Sequence, residues 1–462
     1  MEQIHLIQEL ATEQVQKLHL ILESNVYGKQ FLQYADLIAY QIKSYDYDSV
    51  PWKDLVVGFI VTIYLWETYL DLRQHSLLKR NIIPQALAGV ITKEKFAQSN
   101  AYNIDKSRFK IMYQGIYNIA QIIVAIQYDL FPICWDYADQ FLKLASLPHS
   151  EILQSIVFAS ILISLNTVVN LPIQLYSNFV IEERHGFNKQ TYGLFFSDTI
   201  KTFFLTLIIG MPVLAGFLAV IQWAGENFFF YIWLFMVAFQ IFFMIIFPTF
   251  IQPLFNKYTP LEDGELKTKI DALASKLKFP LTKVYVVDGS KRSSHSNAYF
   301  YGFFNNKRIV LFDTLLQQST HNEVIAVLAH ELGHWYHNHV FRRLLVAQAH
   351  LFVLFYFFNF IVNLQSLYTS FGFSTRPIIV GFLLFQFIYS PVETLIGFFM
   401  NVLSRRDEFQ ADAFAKKLGH ANDLKSGLIK LQIENLSNMN PDPLYSVWHH
   451  SHPPLVQRLA AL

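Results

Sequence analysis

The sequence predicts a mainly α-helical, polytopic membrane protein with a soluble insert that contains a zincin-like helix motif and a small β-sheet. Three observations predict this class. The 462 residues are 53% hydrophobic and 16% aromatic but only 15% charged, whereas a typical soluble domain is roughly 25% charged. The apolar residues lie in runs long enough to cross a bilayer. A polar segment between two of these runs contains the pattern His-Glu-x-x-His.

The charge balance and the cysteine content limit the possible partners and cofactors. The chain has 36 basic and 35 acidic residues and a net charge of +1, so no field of one sign would attract nucleic acid. We therefore expect membrane lipid, and no nucleic acid, as a partner. The single cysteine, Cys134, excludes a cysteine-based metal cluster. Any bound metal is expected to have His, Asp or Glu ligands.

Seven runs of about 20 apolar residues predict seven transmembrane helices, since this length spans a hydrocarbon core of ~30 Å. The first two runs contain charges near their ends and are also compatible with buried core helices. Residues 1–54, which precede the first run, are predicted to form an amphipathic segment that packs or lies on the membrane surface. The predicted spans are 55–72, 109–131, 152–176, 202–223, 228–255, 344–368 and 377–402.

Basic residues in the short loops predict the orientation. Seven lie after span one and one lies after span two, so the first of these loops is predicted to be cytosolic. An odd number of spans then places residues 1–54 in the lumen or outside the cell, and residues 256–343 and 403–462 in the cytosol. The sequon at Asn435 falls on the predicted cytosolic side, where it would escape glycosylation.

The soluble insert, residues 256–343, contains the main chemical motif. Strand-like runs at 282–287, 297–303 and 308–312 precede a helix predicted to begin at Asn322. That helix carries His330-Glu331-Leu332-Gly333-His334, in which the spacing i, i+4 places both imidazoles on one face and lets them bind one Zn²⁺. Glu331 lies beside them and can accept a proton from an attacking water.

A catalytic zinc needs a third protein ligand. The six-residue extension that would supply a third His has Val340 instead, so the ligand must come from elsewhere in the chain. After span seven, Glu408 and Asp412 are i, i+4 neighbours, which suggests Glu408 on zinc and Asp412 accepting the outer N–H of a ligand His. The residues alone leave Asp407 as an alternative ligand. They also leave open that Asp407 and Glu408 are simply acidic residues at the start of a charged helix.

The remaining histidines have less specific spacing. His337 and His339 do not share the ligand face, so they are predicted to be solvated or interfacial. Near the C-terminus, the spacing of His452 and Arg458 favours a solvated polar tail. Alternatively the tail folds back over the zinc, where a histidine could donate to an oxyanion and Arg458 could pair with a carboxylate.

Six segments of the chain are distinctive when taken together: LWETYL from Leu65, EERHGF from Glu182, SSHSNAYFYG from Ser293, HELGHW from His330, EFQAD from Glu408 and SHPP from Ser451. They resemble the type I CAAX prenyl protease family, and the match runs from about residue 55 to the end of the chain. The resemblance implies a seven-span zinc metalloprotease of the endoplasmic reticulum and inner nuclear membrane, with a large chamber enclosed by the spans.

The resemblance implies one bound Zn²⁺ with His330, His334 and Glu408 as ligands and Glu331 as the catalytic base. It supports Asp412 as a residue behind the ligands and makes His452 and Arg458 candidates for the site. It also implies prenylated C-a-a-X proteins as substrates, from which the last three residues are removed. In some pathways such enzymes make a second cut upstream in a prenylated precursor.

We expect the substrate tail to pair as an extended strand with the edge near Asn297, Ala298 and Tyr299. His452 would stabilise the oxyanion, and the prenyl chain would lie against apolar walls of the spans. Two alternatives remain at this stage. One is a membrane quality-control metalloprotease that cleaves unprenylated proteins, and the other is a non-enzymatic transporter or lipid-binding protein in which the motif is structural.

Overall fold

The computed structural model describes residues 46–302 and 306–462, together with residues 29, 30 and 33. The predicted amphipathic segment 1–54 therefore lies almost entirely outside the described residues. Its last residues form a short 3₁₀ turn, Tyr47–Ser49, and the start of the first long helix. Asn305-Asn306, between the last two strand-like runs, predicts a hairpin turn, and this turn also lies partly outside the described residues.

Six continuous helical segments of the described chain are long and apolar enough to cross a membrane. The fourth, Tyr192–Leu254, has 63 residues and would be about 95 Å long if straight, far more than a bilayer requires. It turns at Gly225–Asn227, and its two halves pack against each other. The described residues thus contain seven membrane-length helices, which confirms the predicted number.

Seven α-helices of the described chain precede the insert. The second span begins earlier than predicted, at Lys93, and contains a π-helical turn at Lys110–Gly115. Asp129, in the left-handed conformation, separates it from a helix that the sequence analysis missed. The seven helices are α1 Trp52–Leu78, α2 Lys93–Phe109, α3 Ile116–Gln127, α4 Leu130–Leu144 (the missed helix), α5 Glu151–Tyr176, α6 Tyr192–Ala224 and α7 Phe228–Ile246. α2 and α3 together form the second span, and α4 is too short to cross a membrane.

The insert folds into a four-stranded mixed sheet in the order β1-β2-β4-β3, packed against helices. β2 and β4 are parallel, and the other two neighbouring pairs are antiparallel. The strand order places β3 at one edge of the sheet. Ile309 and Leu311 of the sheet pack with Val324 and Leu328 of the motif helix in one core. The elements are β1 Tyr258–Pro260, α8 Glu265–Leu277, β2 Leu281–Val287, β3 Ala298–Tyr301, β4 Lys307–Phe312, α9 Asp313–Gln318 and α10 His321–Tyr336.

Helix α10 carries the His-Glu-x-x-His motif and has well-defined ends. Thr320 and Glu323 form a reciprocal capping box at its N-terminus. The next helix, α11 His339–Ile361, begins after Asn338, which has a φ of 55°. The sequence by itself predicts that the motif helix continues through Arg342 and Arg343 into span six. This is wrong, because the left-handed residue breaks the helix and turns the chain.

The C-terminal region returns to the insert. After α12 Gln365–Ser370, the 40-residue helix α13 Ile378–Lys417 contains both span seven and the segment with Glu408. Three shorter helices follow, and Leu424 and Leu462 join the core of the insert. These helices are α14 Ala421–Glu434, α15 Pro443–His449 and α16 Leu455–Ala461.

Candidate metal centre

The site forms where α10 packs closely against α13. Gly333, between the two motif histidines, makes this approach possible. A Cβ atom at this position would lie 3.0 Å from Ala411 Cα and 3.2 Å from Phe414 Cβ, so a larger residue would force the helices apart. The glycine of the motif therefore sets the distance between the helix that carries the two histidines and the helix that carries Glu408.

His330, His334 and Glu408 bring three potential ligand atoms to one point. The two Nε2 atoms are 3.3 Å apart, and each lies 3.3–3.4 Å from a Glu408 carboxylate oxygen. Ligand bonds of about 2.0–2.1 Å in a tetrahedron place neighbouring donors about 3.3–3.4 Å apart. Three converging lone-pair donors in a largely buried position fit a tetrahedral Zn²⁺ with one open position.

Asp412 and Arg458 lie behind the first histidine. His330 Nδ1 is 2.8 Å from Asp412 Oδ1, and the Arg458 guanidinium donates to both oxygens of Asp412 at 2.6 and 2.9 Å. Burial lowers the pKa of His330, but hydrogen bonds to Asp412 and Glu408 outweigh it and raise the pKa to about 9. The Asp412 contact fixes the ring with its Nε2 atom toward the ligand cluster.

His339 contacts the second motif histidine, His334, as Asp412 contacts the first. Its Nδ1 atom is 2.9 Å from His334 Nδ1, and its Nε2 atom is 2.9 Å from Gln410 Oε1. The sequence prediction of a solvated or interfacial His339 is wrong, because the side chain is 1% exposed. The break at Asn338 lets the next helical turn fold back toward His334. His337 is exposed, as predicted.

Asp407 and Glu408 are the two candidates for the third metal ligand, and the direction in which each side chain points distinguishes them. Asp407 is fully buried and pairs with Arg342 and Arg343 at the start of α11. Glu408, one residue later and about 100° around the helix, faces the two motif histidines. Asp407 therefore ties α11 to α13, and Glu408 is the carboxylate in the ligand cluster.

Glu331 lines a cleft of about 320 Å³ beside the ligand cluster. Burial raises the pKa of its carboxyl group, which moves the carboxylate toward the range useful for a general base. Asn297 and Ala298 line the same cleft, whereas Tyr299 lines a neighbouring apolar cavity. The edge strand β3 thus runs along the cleft, where we expected it.

The C-terminal residues fold back over the cleft and do not form a solvated tail, so the interpretation favoured by spacing alone is wrong. Arg458 is 8% exposed because it pairs with the buried Asp412. His452 lies with Nδ1 2.9 Å from a Glu408 oxygen, while 65% of its side chain stays exposed to the cleft. Spacing could not predict this return, since it depends on tertiary packing of α16.

Asn435 is a cleft residue that the sequence analysis noted only as a sequon. Its Oδ1 atom accepts a hydrogen bond from Ser296 N at 3.1 Å and lies 3.3 Å from His295 Nδ1. These contacts hold the segment that leads into β3 against the end of α14. The EERHGF segment contributes to the same region, since Glu182 lies 3.6 Å from His295 Nε2.

Comparisons with known proteins match almost the whole chain. Residues 73–257 match a family model described as the CAAX prenyl protease N-terminal region with five membrane helices, and residues 260–462 match peptidase family M48. A CAAX prenyl protease 1 homolog of Arabidopsis thaliana is 48% identical over 90% of this chain and 98% of its own. CAAX prenyl protease 1 of Saccharomyces cerevisiae is 46% identical over 90% and 96%.

A solved structure agrees with these sequence matches. The crystal structure of S. mikatae Ste24p superposes with a TM-score of 0.86 at 46% identity, covering 90% of this chain and all of that one. Similarity at this level over nearly the full length includes both the membrane helices and the insert. The chain therefore belongs to the CAAX prenyl protease family within peptidase family M48, and it is a multi-pass membrane metallopeptidase.

Proposed function

We propose that this metallopeptidase uses one Zn²⁺ to remove the last three residues of prenylated C-a-a-X proteins. The observation that supports this most directly is the cluster of His330, His334 and Glu408 beside Glu331, at the free edge of β3. A nearby apolar cavity can accommodate lipid, and the relatives carry the name CAAX prenyl protease. A second, upstream cut in a prenylated precursor is part of the proposal. Membership of a peptidase family argues against the transporter alternative.

The proposed mechanism assigns a task to each residue of the cleft. His330, His334 and Glu408 hold the zinc, which when bound supplies Lewis acidity toward the scissile carbonyl and the attacking water. Glu331 accepts the proton of that water and returns it to the leaving amine. His452 donates to the developing oxyanion from the exposed side of the cleft. Asp412 and Arg458 hold His330 in its ligand tautomer.

The substrate tail is proposed to add to β3 as a further strand. Backbone hydrogen bonds along this edge tolerate varied side chains, which suits a protease that must accept many a-a-X sequences. Asn297 and Ala298 lie at the cleft itself, and Tyr299 marks the beginning of the apolar side. The seven spans are proposed to enclose a chamber that receives the prenyl chain.

The proposed location is the membrane of the endoplasmic reticulum and the inner nuclear membrane, with the insert and the C-terminal region in the cytosol. The basic loop after span one supports this orientation. The shared core of Leu328, Leu424 and Leu462 supports it further, because the insert and the C-terminal helices must lie on the same side. Glycosylation reporters on residue 462 and in the loop after span two would test it, and modification of the C-terminal reporter alone would contradict it.

Hydrolysis of a farnesylated C-a-a-X peptide, with and without a zinc chelator, tests the function. We expect release of the tripeptide, loss of this activity with chelator and recovery with added Zn²⁺. The same peptide without the prenyl group is the matched control and should be cleaved much more slowly. Equal cleavage of the two peptides would favour the quality-control alternative, and activity that resists full metal removal would contradict the zinc mechanism.

A further inference from the structure

Two cavities of opposite character open at the two ends of β3. The first, about 550 Å³, is mainly apolar and surrounds the C-terminal end of the strand, from Tyr299 to Gly302. The second, about 620 Å³, is lined mostly by polar side chains, together with some apolar surface, and begins at His295, just before the strand. Besides strand residues, the first is lined by Phe243, Phe247, Trp335, Phe341 and Leu344, and the second by Tyr102, Asn103, Lys106, Asn435, Asn438 and His450.

The catalytic cleft is lined by residues 296–298, which lie between His295 of the polar cavity and Tyr299 of the apolar cavity. His334, one of the ligand candidates, also lines the apolar cavity. At the other end, Asn435 and His452 line both the cleft and the polar cavity. An extended peptide paired with β3 therefore passes from the apolar cavity, past the ligand cluster, into the polar cavity.

Among the described residues that line the polar cavity, only Lys106 carries a fixed positive charge. Its Nζ atom lies 3.2 Å from the Tyr102 hydroxyl and 3.9 Å from Glu182, and 53% of the side chain remains exposed. Burial lowers the pKa of His449 and His450 to about 4, so these two rings are neutral at pH 7. The lysine thus keeps ammonium donors available to a ligand in the cavity.

Glu182 orients Lys106 and His295 but does not line the cavity itself. Its carboxylate accepts hydrogen bonds from the Tyr102 hydroxyl at 2.8 and 3.0 Å and lies 3.6 Å from His295 Nε2. His295 is also held by Asn435 and stacks on Phe187 at 4.1 Å between ring centroids. An ammonium has three donors, so Lys106 can contact Tyr102 and still bind an incoming anion.

We propose that Lys106 binds the C-terminal carboxylate of the substrate, with His295 beside it, so that the substrate runs antiparallel to β3. This inference rests on the proposed function and adds to it the direction in which the peptide lies along β3. Three extended residues span about 10 Å, so a carboxylate at the end of the a-a-X tripeptide lies one tripeptide length beyond the scissile bond. The prenylated cysteine then lies on the opposite side, where the apolar cavity takes the isoprenoid.

The opposite direction fits the chemistry poorly. It would place an isoprenoid among Lys106, His295 and the asparagines, where it displaces water from polar groups without replacing their hydrogen bonds. It would also place a carboxylate among the rings of Phe243 and Trp335, where a charge is costly to bury. Lys307 lines this cavity too, but its ammonium already donates to the Gly302 carbonyl at 2.7 Å. The polarity of the two cavities thus determines which end of the peptide each receives.

The test compares a farnesylated C-a-a-X peptide that ends in a free carboxylate with the same peptide ending in an amide. Binding is measured in proteins that carry Glu331→Gln, and kcat/KM is measured in proteins with Glu331 intact. Each measurement is made with Lys106 present and with Lys106→Gln. With Lys106 the free acid should be preferred roughly fivefold, because a half-exposed ion pair contributes modestly. Lys106→Gln should bring the ratio close to one, Lys106→Arg should retain the preference and Lys106→Glu should reverse it.

Arg108→Gln, an exposed basic residue on the same helix outside the cavity, is the control and should keep the wild-type ratio. An acid preference that persists in Lys106→Gln, or no preference with Lys106, overturns the inference even if the prenylated peptide is hydrolysed. If binding shows a Lys106-dependent acid preference but no peptide is hydrolysed, the carboxylate site stands and the proposed function fails. The two results therefore separate the two proposals.

Discussion

The Nδ1 atom of His334 lies 2.9 Å from the Nδ1 atom of His339, a residue five positions later on the next helix. His339 is buried and its other nitrogen contacts Gln410. This arrangement depends on the left-handed Asn338, which ends α10 early enough for the chain to turn back. The second motif histidine is therefore held by a histidine, and the first by a carboxylate.

Replacement of His339 by Ala should weaken metal binding. Loss of a group that orients a ligand histidine typically costs 10–100-fold in metal affinity or activity. Zinc affinity, measured by competition with a chromophoric chelator, should fall within this range, with a parallel fall in peptide hydrolysis. His337→Ala is the matched control because His337 is exposed, and it should leave the affinity unchanged. Equal affinities for the two variants would show that His339 does not orient His334.

Replacement of Arg458 by Met should have a similar effect through Asp412. Without the guanidinium, Asp412 is a buried carboxylate that has lost two charge-assisted hydrogen bonds, so its hold on His330 weakens. We expect zinc affinity and kcat to fall by about 10–100-fold. Arg406→Met, an exposed residue on α13, should behave as wild type. If Arg458→Met keeps full affinity and activity, Arg458 has no role in positioning His330.

Glu323 should make stability depend on pH. Burial raises the pKa of Glu323, but hydrogen bonds from Lys430, Ser426 and Thr320 outweigh it and lower the pKa to about 2. A carboxyl group whose pKa is lower when folded stabilises the protein above the unfolded value of about 4.3 and loses that contribution as pH falls toward 2. Thermal unfolding in detergent should therefore show a falling midpoint between about pH 4.5 and 2.

Glu323→Gln should lower the midpoint at neutral pH and flatten this pH dependence. The substitution leaves a side chain that can still complete the capping box, but it removes the ion pair with Lys430 and the charge that strengthens the hydrogen bonds from Ser426 and Thr320. A hydrogen bond to a charged group contributes about 1.5–3 kcal/mol. Glu434→Gln, on an exposed glutamate of α14, controls for the loss of one negative charge. If the unfolding midpoint of Glu323→Gln falls with pH as steeply as that of the wild type, other carboxylates cause the acid sensitivity.

Much of the architecture could be predicted because bilayer thickness and backbone chemistry leave clear periodicities in sequence. The runs that form α5, α6 and α7 are uncharged over a membrane length, and the β-branched run of β2 was recognised within one residue. The three-residue β1 and the helix α4 were missed, since neither has a strong period of its own. The break at Asn338 depends on one residue in a left-handed conformation, which the sequence signals only weakly.

The ligand cluster could be largely predicted because two of its members share one helix face. Glu408 could not be separated from Asp407 by spacing, since both begin the same polar segment after span seven. Their different environments, one facing Arg342 and Arg343 and the other facing the histidines, arise only when α10 and α13 pack. The same holds for His339 and Arg458, whose partners lie on other helices.

The most direct test of the metallopeptidase mechanism measures zinc content and hydrolysis of a farnesylated C-a-a-X peptide on the same preparations of Glu331→Gln and Glu408→Ala. We expect Glu331→Gln to bind about one zinc per chain, as three intact ligands require, but to show no measurable turnover. Glu408→Ala should lose tightly bound zinc and activity together. Turnover near the wild-type rate in Glu331→Gln, or unchanged zinc affinity in Glu408→Ala, would contradict the account.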